Sequence, residues 1–275
     1  MVPLVTIPVI DPDDERLDDY RRLQNHTIRR QVEDAGQFFI VEGWEAVRRL
    51  LSTKWEVRSV LVTHDKAHRL EGLDGPVPSF PHYVVPREVV SQVVGFDLHR
   101  GVIASVVRPP PADWRQVAAA GSRLVVLEGI NDHENLGAIF RSAAALGIEG
   151  LLMAPSVPDP LYRRSVRVSM GAVLMVPFAR VDSWPDDLLL IRDMGFTLVA
   201  LTPELSAELI ESVRIRTPVA LLLGAEREGL TAPALAAADR RVRIEQSGAV
   251  DSLNVGHAAA IAFHYFGAFH GIGKV

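Results

Sequence analysis

A polar, glycine-containing stretch, Ser247–His257, stands directly before an apolar-rich run that reaches Phe266. The run predicts a helix, and Asp251 or Ser252 is expected to be its N-cap. Because the first turn of a helix has unpaired backbone N–H groups and a positive dipole end, such a stretch suits an anionic or carboxylate-bearing ligand. Taken alone, however, the stretch favours an ordinary capped helix.

Two other patterns resemble known ligand sites only in part. Gly224 and Gly229 have the glycine spacing of a phosphate-binding P-loop, but Leu230-Thr231 replaces the required Lys-Ser/Thr pair, which excludes that motif. His64 and His68 are four residues apart, a spacing that can bind metal on a helix, yet neither a zincin glutamate nor a third ligand accompanies them. We therefore expect surface histidines and no metal site.

The composition sets limits on the fold and on the compartment. A chain of 275 residues that is 48% hydrophobic is long for one domain and sufficient for two with substantial cores. The sequence has no cysteine, which excludes disulfides and thiolate metal sites and fits a cytoplasmic protein. Neither a signal peptide nor a membrane span is expected, because charges or prolines interrupt each apolar stretch.

The charge distribution bears on phosphate-rich partners. A net charge of −5 argues mildly against nucleic acid. Lysine occurs only at Lys54, Lys66 and Lys274, so nearly all the positive charge is arginine, the better bidentate phosphate ligand. A GC-rich genome, which favours arginine codons, explains the same bias, and both explanations stay open.

Residues 1–107 predict a small α/β domain. The run Asp18–Arg30 predicts an amphipathic helix that ends near Gly36. Strands and helices then alternate, with strands at 37–41, 56–62, 83–85 and 101–107 and helices at 44–51 and 86–94. The three consecutive prolines of Arg108–Asp113 predict a stiff linker, taken as residues 108–122.

Residues 123–275 predict a second α/β domain with a mainly parallel sheet. Its expected strands are 124–127, 151–154, 197–201, 219–223 and 241–244, with helices starting at 135 and 186. In such a sheet the ligand loops lie at the carboxyl ends of the strands. The loops Glu128–Glu134 and Gly224–Leu230 are therefore expected to meet the polar stretch before the last helix.

Three segments of this second domain, taken together, resemble one family. They are Asn135-Leu-Gly-Ala-Ile-Phe-Arg-Ser142, Leu223-Gly-Ala-Glu-Arg-Glu-Gly-Leu230, and Ser252-Leu-Asn-Val255 after Ile244 and Gly248. In this order and spacing they resemble the three motifs of the SpoU family of RNA ribose methyltransferases, within the SPOUT class. Ser169-Met-Gly-Ala172 also resembles that family, and residues 37–107 resemble the small RNA-binding domain, similar to a ribosomal-protein fold, of many members.

The resemblance implies a fold, a cofactor and partners. The fold would be an α/β sheet whose C-terminal segment is threaded through a loop as a deep trefoil knot, a rare topology. The methyl donor would be S-adenosylmethionine, held in the knotted loops, and no metal would be needed. The partners would be structured RNA, with ribosomal favoured over transfer RNA, and a second copy of the chain in a homodimer whose active sites lie near the interface.

The resemblance also implies the site residues. The donor would be bound by Gly224, Ile244, Gly248 and Leu253, and the catalytic set would be Asn135, Arg141, Glu226, Ser252 and Asn254. The family's arginine is usually given the role of general base. Since a guanidinium scarcely deprotonates, a clamp on the target phosphate that stabilises the forming alkoxide is the alternative, and the choice stays open for Arg141.

The chain departs from the family pattern at two places. Ile244-Glu-Gln246 replaces the common Ile-Pro-Met, which alters the donor loop, and Ala225 stands where asparagine is frequent. Neither removes an implied catalytic residue. The leading interpretation is 2′-O-methylation of ribosomal RNA; the alternatives are 2′-O-methylation of transfer RNA, methylation of a base on the same fold, and a non-catalytic RNA-binding protein.

Overall fold

The computed structural model describes residues 6–24, 26–72, 80–215, 218–247 and 252–266, with backbone alone at 26–28 and 71–72. The chain forms two compact units, Met1–Pro110 with Leu161–Leu174, and Pro111–Pro160 with Met175–Val275. Each unit has its own sheet and its own hydrophobic core. The segment Leu161–Leu174, which was expected in the second domain, groups with the first unit.

The described residues contain twelve strands and nine α-helices in chain order. The strands are β1 (Thr6–Pro8), β2 (Phe38–Glu42), β3 (Val57–Thr63), β4 (His82–Val85), β5 (Val102–Val107), β6 (Arg123–Leu127), β7 (Gly150–Met153), β8 (Phe178–Arg180), β9 (Thr197–Leu201), β10 (Glu208–Leu209), β11 (Val219–Leu223) and β12 (Arg240–Arg243). The helices are α1 (His26–Gly36), α2 (Trp44–Leu51), α3 (Arg87–Val94), α4 (Trp114–Ala119), α5 (His133–Leu146), α6 (Arg163–Val168), α7 (Asp187–Asp193), α8 (Ala232–Ala237) and α9 (Val255–Phe266).

The sheet of the first unit has the strand order β1-β4-β3-β5-β2. Strands β1, β4 and β3 are parallel, whereas β5 runs antiparallel to both β3 and β2. As a result, the carboxyl ends of β2 and β3 and the amino end of β5 lie at the same edge of the sheet. The segment Leu161–Leu174 is attached to this unit by Arg163 Nη1, which donates to Glu42 Oε2 at 2.8 Å, and by Trp55 Nε1, which donates to the Leu174 carbonyl at 2.9 Å.

The helix expected over Asp18–Arg30 is wrong in its first half. A 3-10 turn spans Glu15–Tyr20, and a separate helix, α1, begins only at His26. Between them Arg22 has a φ of 55°, which interrupts any right-handed helix. The backbone N–H groups of Arg22 and Leu23 donate instead to carbonyls at the end of α3, at 3.0 and 3.1 Å. A tertiary contact has therefore replaced the helical hydrogen bonds.

The sheet of the second unit has the order β10-β12-β9-β11-β6-β7-β8, and every strand pair is parallel. This confirms the expected mainly parallel sheet, and the sequence did not predict β8, β10 or α8. Helix α5 starts two residues earlier than expected, because Asp132 accepts a hydrogen bond from the Glu134 N–H at 2.8 Å and caps it. It ends at Gly147, whose φ of 75° is a left-handed C-cap.

Two sequence expectations concern membrane and metal. Across the described ranges, every helix falls short of the length and apolar character that crossing a bilayer requires. His64 and His68 are exposed on a 3-10 turn, His64–Gly72. No cluster of three or more potential metal ligands occurs in the described part of the chain.

Candidate functional site

Asn135 lies in the first turn of α5, the helix that follows β6. The face of α5 that carries Leu136, Ile139 and Phe140 is fully buried in the second unit. This packing holds Asn135 in a position that is only 9% exposed. Its Nδ2 donates a hydrogen bond to Glu226 Oε1 at 2.9 Å. A buried amide of this kind needs a polar partner, and the partner comes from another loop of the same sheet edge.

Glu226 lies at the tip of the loop that follows β11. The N–H of Ala225 donates to the carbonyl of Gly229 at 3.0 Å, and the reciprocal bond is 3.1 Å, so the loop closes into a tight tip, Glu226–Glu228. A Cβ on Gly224 would lie 2.2 Å from the carbonyl carbon of Gly229. The close approach that requires glycine at 224 is therefore to the protein's own backbone.

Asn254 is the N-cap of α9. Its Oδ1 accepts from the N–H groups of Gly256 at 2.9 Å and His257 at 3.3 Å. Its Nδ2 donates to Asn135 Oδ1 and to Glu226 Oε1, both at 2.8 Å. The expectation of a cap at Ser252 is wrong because the helix begins three residues later, at Val255; the alternative, Asp251, lies outside the described residues.

The three side chains Asn135, Glu226 and Asn254 thus form one hydrogen-bonded group, here called the amide–carboxylate cluster. They come from three separate segments at the carboxyl edge of the sheet: the first turn of α5, the loop after β11 and the N-cap of α9. Both amides donate to the same oxygen, Oε1 of Glu226. The other oxygen, Oε2, accepts no hydrogen bond from any described residue, and the Glu226 side chain is exposed. The cluster can therefore accept a hydrogen bond from a ligand hydroxyl.

Two cavities lie on either side of the loop that carries Glu226. The larger, about 550 Å³, is at the carboxyl ends of β9, β11 and β12, and the predicted residues Gly224, Ile244, Ser252 and Leu253 line it together with Glu226. The smaller, about 240 Å³, is lined by the loop after β6, by Asn135 and by the same Ala225–Glu228 segment. Glu226 and Val255 belong to the walls of both.

The larger cavity has the lining that a nucleoside requires. Its walls include the apolar side chains of Leu223, Ile244 and Leu253. Gln246 also lines it, and its Oε1 is buried without a hydrogen-bond partner. Buried acceptors are almost always paired in folded proteins. An orphaned acceptor in an apolar wall therefore fits a flat ring that carries an amino group, such as adenine.

Two of the predicted catalytic residues, Arg141 and Ser252, do not join the cluster. Arg141 is exposed and lines neither cavity. It follows Asn135 by six residues on α5, which corresponds to a rotation of about 240° and a rise of about 9 Å. Ser252 lines the larger cavity but forms no hydrogen bond with the cluster's described atoms. Gly248 lies outside the described residues.

Two residues that shape this region were not predicted as site residues. Glu128, directly after β6, is buried and accepts from the N–H and the hydroxyl of Thr231, both at 2.8 Å, and from Trp184 Nε1. It ties the end of the β11 loop to the start of α8. Arg227 lines both cavities and has no ion pair in the described part of the chain. The signal for Glu128 was a charged residue immediately after a buried strand.

The second unit has a parallel sheet with helices, and its cavities and its polar cluster lie at the carboxyl ends of the strands. This is where α/β enzymes bind their ligands, so the second unit is an α/β domain of that class. Residues 122–264 match the SpoU rRNA Methylase family. The chain belongs to that family, which confirms the resemblance carried by the three motifs.

Relatives of the chain include proteins named for RNA methylation. A protein of Mycobacterium tuberculosis named uncharacterized tRNA/rRNA methyltransferase is 43% identical over 260 residues, which cover 93% of this chain and 90% of the relative. The 23S rRNA (guanosine-2′-O-)-methyltransferase RlmB of Nitrosomonas europaea is 31% identical over 174 residues, 62% of this chain and 66% of the relative. A crystal structure of an RNA 2′-O ribose methyltransferase superposes with a TM-score of 0.74 at 27% identity, covering 94% of this chain and 97% of that chain.

Proposed function

We propose that this chain transfers a methyl group from S-adenosylmethionine to a ribose 2′-hydroxyl of RNA, with ribosomal RNA favoured over transfer RNA. The observation that carries the proposal is the amide–carboxylate cluster, which lies where the two cavities share a wall. The ribose assignment and the preference for ribosomal RNA are further supported by membership of the SpoU rRNA Methylase family and by the similarity to RlmB. A ribosomal substrate places the reaction in the cytoplasm.

The methyl donor belongs in the larger cavity. Ile244 and Leu253 provide apolar faces for the adenine ring, Gln246 Oε1 provides an acceptor for its amino group, and the Gly224 turn forms one side of the cavity. When bound, S-adenosylmethionine supplies the electrophilic methyl group on its sulfonium. Gly248 completes the implied donor set and lies outside the described residues.

The ribose that receives the methyl group belongs beside the smaller cavity. Glu226 Oε1 is held by the amides of Asn135 and Asn254 at 2.9 and 2.8 Å, which fixes the carboxylate and leaves Oε2 to accept the hydrogen bond of a hydroxyl. Holding the hydroxyl in one orientation converts an encounter into a unimolecular step. Ser252, exposed at the wall of the larger cavity, is suited to a second contact with the substrate.

We also infer that the protein acts as a homodimer. The side chain of Arg141 is exposed, lines neither cavity and has no hydrogen bond or ion pair with described residues. In a dimer it would contact the reacting phosphate of an RNA that is bound at the site of the second copy. Helix α9 adds little support, because Phe263 and Phe266 are already buried within the chain. Ile261 and Tyr265 remain half-buried, and Phe269 lies outside the described residues. A monomer in sedimentation at micromolar concentration would reject the dimer.

Two further family properties are carried over as part of the same proposal. The first unit, with the family-like residues 37–107, is taken to bind RNA. The C-terminal part of the second unit is taken to form the trefoil knot that the family resemblance implies.

The chemical class of the product tests the function. Alkali cleaves RNA because the 2′-oxygen attacks the adjacent phosphorus, and a methyl group on that oxygen removes the nucleophile. We expect ribosomal RNA from a deletion strain, labelled by this protein with a tritiated donor, to give a labelled alkali-resistant dinucleotide. Label found only in mononucleotides would indicate base methylation, label in transfer RNA alone would change the substrate, and donor binding without turnover would indicate a non-catalytic RNA-binding protein.

A further inference from the structure

Three loops of the first unit meet at one edge of its sheet. Trp44 follows the carboxyl end of β2, Lys66 and Arg69 lie on the 3-10 turn after β3, and Arg100 precedes the amino end of β5. The strand pairing brings them together: the N–H of Gly43 donates to the Val102 carbonyl at 3.1 Å, and the N–H of Thr63 donates to the Gly101 carbonyl at 3.0 Å. Residues distant in sequence therefore surround one place.

A cavity of about 400 Å³ opens at this place, here called the first-unit cavity. It is lined by Trp44, Glu45, Lys66, Arg69, His99, Arg100 and Met170. The guanidinium of Arg69 lies 4.5 Å from the centre of the Trp44 ring, a cation–π contact. The side chain of Arg100 passes so close to Gly43 that a Cβ there would be 3.0 Å from Arg100 Cδ. Glycine at 43, with a φ of 98°, thus makes room for this arginine.

The positive charge of the first-unit cavity is largely uncompensated. Arg69 and Arg100 form no ion pair with any described residue. Lys66 has only an exposed contact with Asp65, at 3.6 Å. The single acidic residue in the lining, Glu45, is already bonded to Arg48. Guanidinium groups without carboxylate partners around an open cavity are available to phosphate oxygens.

The wall opposite the basic residues comes from a motif that the methyl-transfer site does not use. Ser169-Met-Gly-Ala172 follows α6, and Met170 holds a φ of 53°, which is uncommon for a residue with a side chain. Arg49 Nη1 donates to the Met170 carbonyl at 2.8 Å, and a Cβ on Gly171 would be 2.8 Å from Ala46 Cα. The motif therefore fastens this segment to α2 and places Met170 in the cavity wall.

We propose that the first-unit cavity holds one unpaired nucleotide of the RNA substrate. The base packs against Trp44 with its stacked Arg69 and against Met170, and Arg100 and Lys66 bind the flanking phosphates. Unstacked bases of single-stranded RNA are typically bound on aromatic rings and guanidinium planes, with basic side chains along the backbone. The inference rests on the proposed function for the identity of the polymer as RNA. The cavity would be a second contact point for the RNA, away from the methyl-transfer site, and would select a loop or bulge over double-stranded RNA.

The test compares charge-matched variants in RNA binding. Arg69→Gln/Arg100→Gln removes two guanidinium groups from the cavity, whereas Arg30→Gln with Arg58→Gln removes two exposed ones of the same unit elsewhere. Binding of a fluorescein-labelled twelve-nucleotide oligouridylate and of a blunt RNA duplex is measured from 50 to 300 mM KCl. We expect the cavity variant to lower the slope of log affinity against log salt for the single strand by about 0.7, since Arg100 is the one phosphate ligand it removes and each phosphate contact contributes about 0.7.

Trp44 provides the second arm of the test. Trp44→Ala should weaken single-strand binding about five-fold or more, while Trp44→Phe, which keeps an aromatic face, should retain most of it. Neither Trp44 variant should change the affinity for S-adenosylmethionine. With ribosomal RNA as the substrate, Trp44→Ala and Arg69→Gln/Arg100→Gln should each raise KM and leave kcat unchanged. Thermal unfolding verifies the fold of each variant. If Trp44→Ala does not fold, Trp44→Phe and Arg69→Gln/Arg100→Gln still test whether the cavity binds single-stranded RNA.

The outcomes separate this inference from the proposed function. If the wild type methylates ribosomal RNA while the arginine variants match their control and Trp44→Ala binds as the wild type does, the inference is overturned and the function stands. Equal losses on the duplex and on the single strand would overturn the preference for an unpaired nucleotide. A wild type that binds no RNA would overturn both.

Discussion

Asn254 allows the helix cap and the polar cluster to be perturbed separately. Asn254→Ala removes the acceptor for the N–H groups of Gly256 and His257, which is worth about 1 kcal/mol for an N-cap. It also leaves the buried Asn135 Oδ1 without its partner, at a cost of about 1 kcal/mol. We expect a loss of about 2 kcal/mol in the free energy of unfolding, or about 4–8 °C in Tm for a unit of this size.

Asn254→Asp is the matched variant. A carboxylate caps a helix as well as an amide does, so the bonds to Gly256 and His257 are retained. The Nδ2 donor is lost, and a second carboxylate faces Glu226, which disturbs the oxygen that both amides hold. The fall in Tm should be at least about half that of Asn254→Ala, yet clearly smaller than it, because the cap is kept and only the hydrogen bonds of Nδ2 are lost. Methyl transfer should fall about a hundred-fold or more in both variants, because the ribose hydroxyl loses its fixed partner.

The measurements are thermal unfolding by circular dichroism and transfer of a tritiated methyl group to ribosomal RNA. A Tm for Asn254→Asp as low as that for Asn254→Ala would refute the capping role. A kcat for Asn254→Asp within about two-fold of the wild type would refute the role of the Nδ2 hydrogen bonds in the reaction. Asn254→Ser, whose hydroxyl also caps helices but does not reach as far, should follow the aspartate variant in stability.

Four further variants examine Arg141, the donor cavity and the loop after β11. Arg141→Ala should abolish methyl transfer and leave the affinity for the donor nearly intact. Leu253→Asp should weaken donor binding first, because it places a charge against adenine. Equal losses of donor affinity in calorimetric titration would contradict the assignment of Arg141 to the RNA and of Leu253 to the donor. Gln246→Ala should weaken donor binding about two- to ten-fold without lowering Tm, and unchanged affinity would show that its buried Oε1 meets no ligand. Gly224→Ala should lower Tm more than any of these, since its Cβ would lie 2.2 Å from backbone, and a normal Tm would contradict the tight loop.

Elements with a strong local pattern were predictable from the sequence. Helix α2 and strands β9 and β11 have the predicted bounds, because their apolar spacing and flanking turn residues agree with the fold. The motif residues Asn135, Glu226 and Asn254 were predicted as one site through the family resemblance, and they meet through hydrogen bonds of 2.8–2.9 Å. Parallel strands make this possible, since their loops share one edge.

Features that depend on distant contacts were not predictable. The break at Arg22 follows from hydrogen bonds to the end of α3, some seventy residues away, which no local pattern encodes. The cap of α9 was misplaced because Ser252 has the better local signal, while the choice of Asn254 depends on its bonds to Asn135 and Glu226. The requirement for Gly224 depends on how the loop closes at Gly229.

The position of Asn254 in the chain has a consequence for when the enzyme becomes competent. Synthesis proceeds from the amino terminus, so β6, α5 and the loop of Glu226 leave the ribosome before α9 exists. Asn135 Nδ2 can donate to Glu226 Oε1 without α9, but until the first turn of α9 forms both side chains lack the Nδ2 donor of Asn254. A nascent chain therefore carries an incomplete cluster, and on the proposed function methyl transfer would begin only once the last helix has formed, after synthesis of the rest of the second unit.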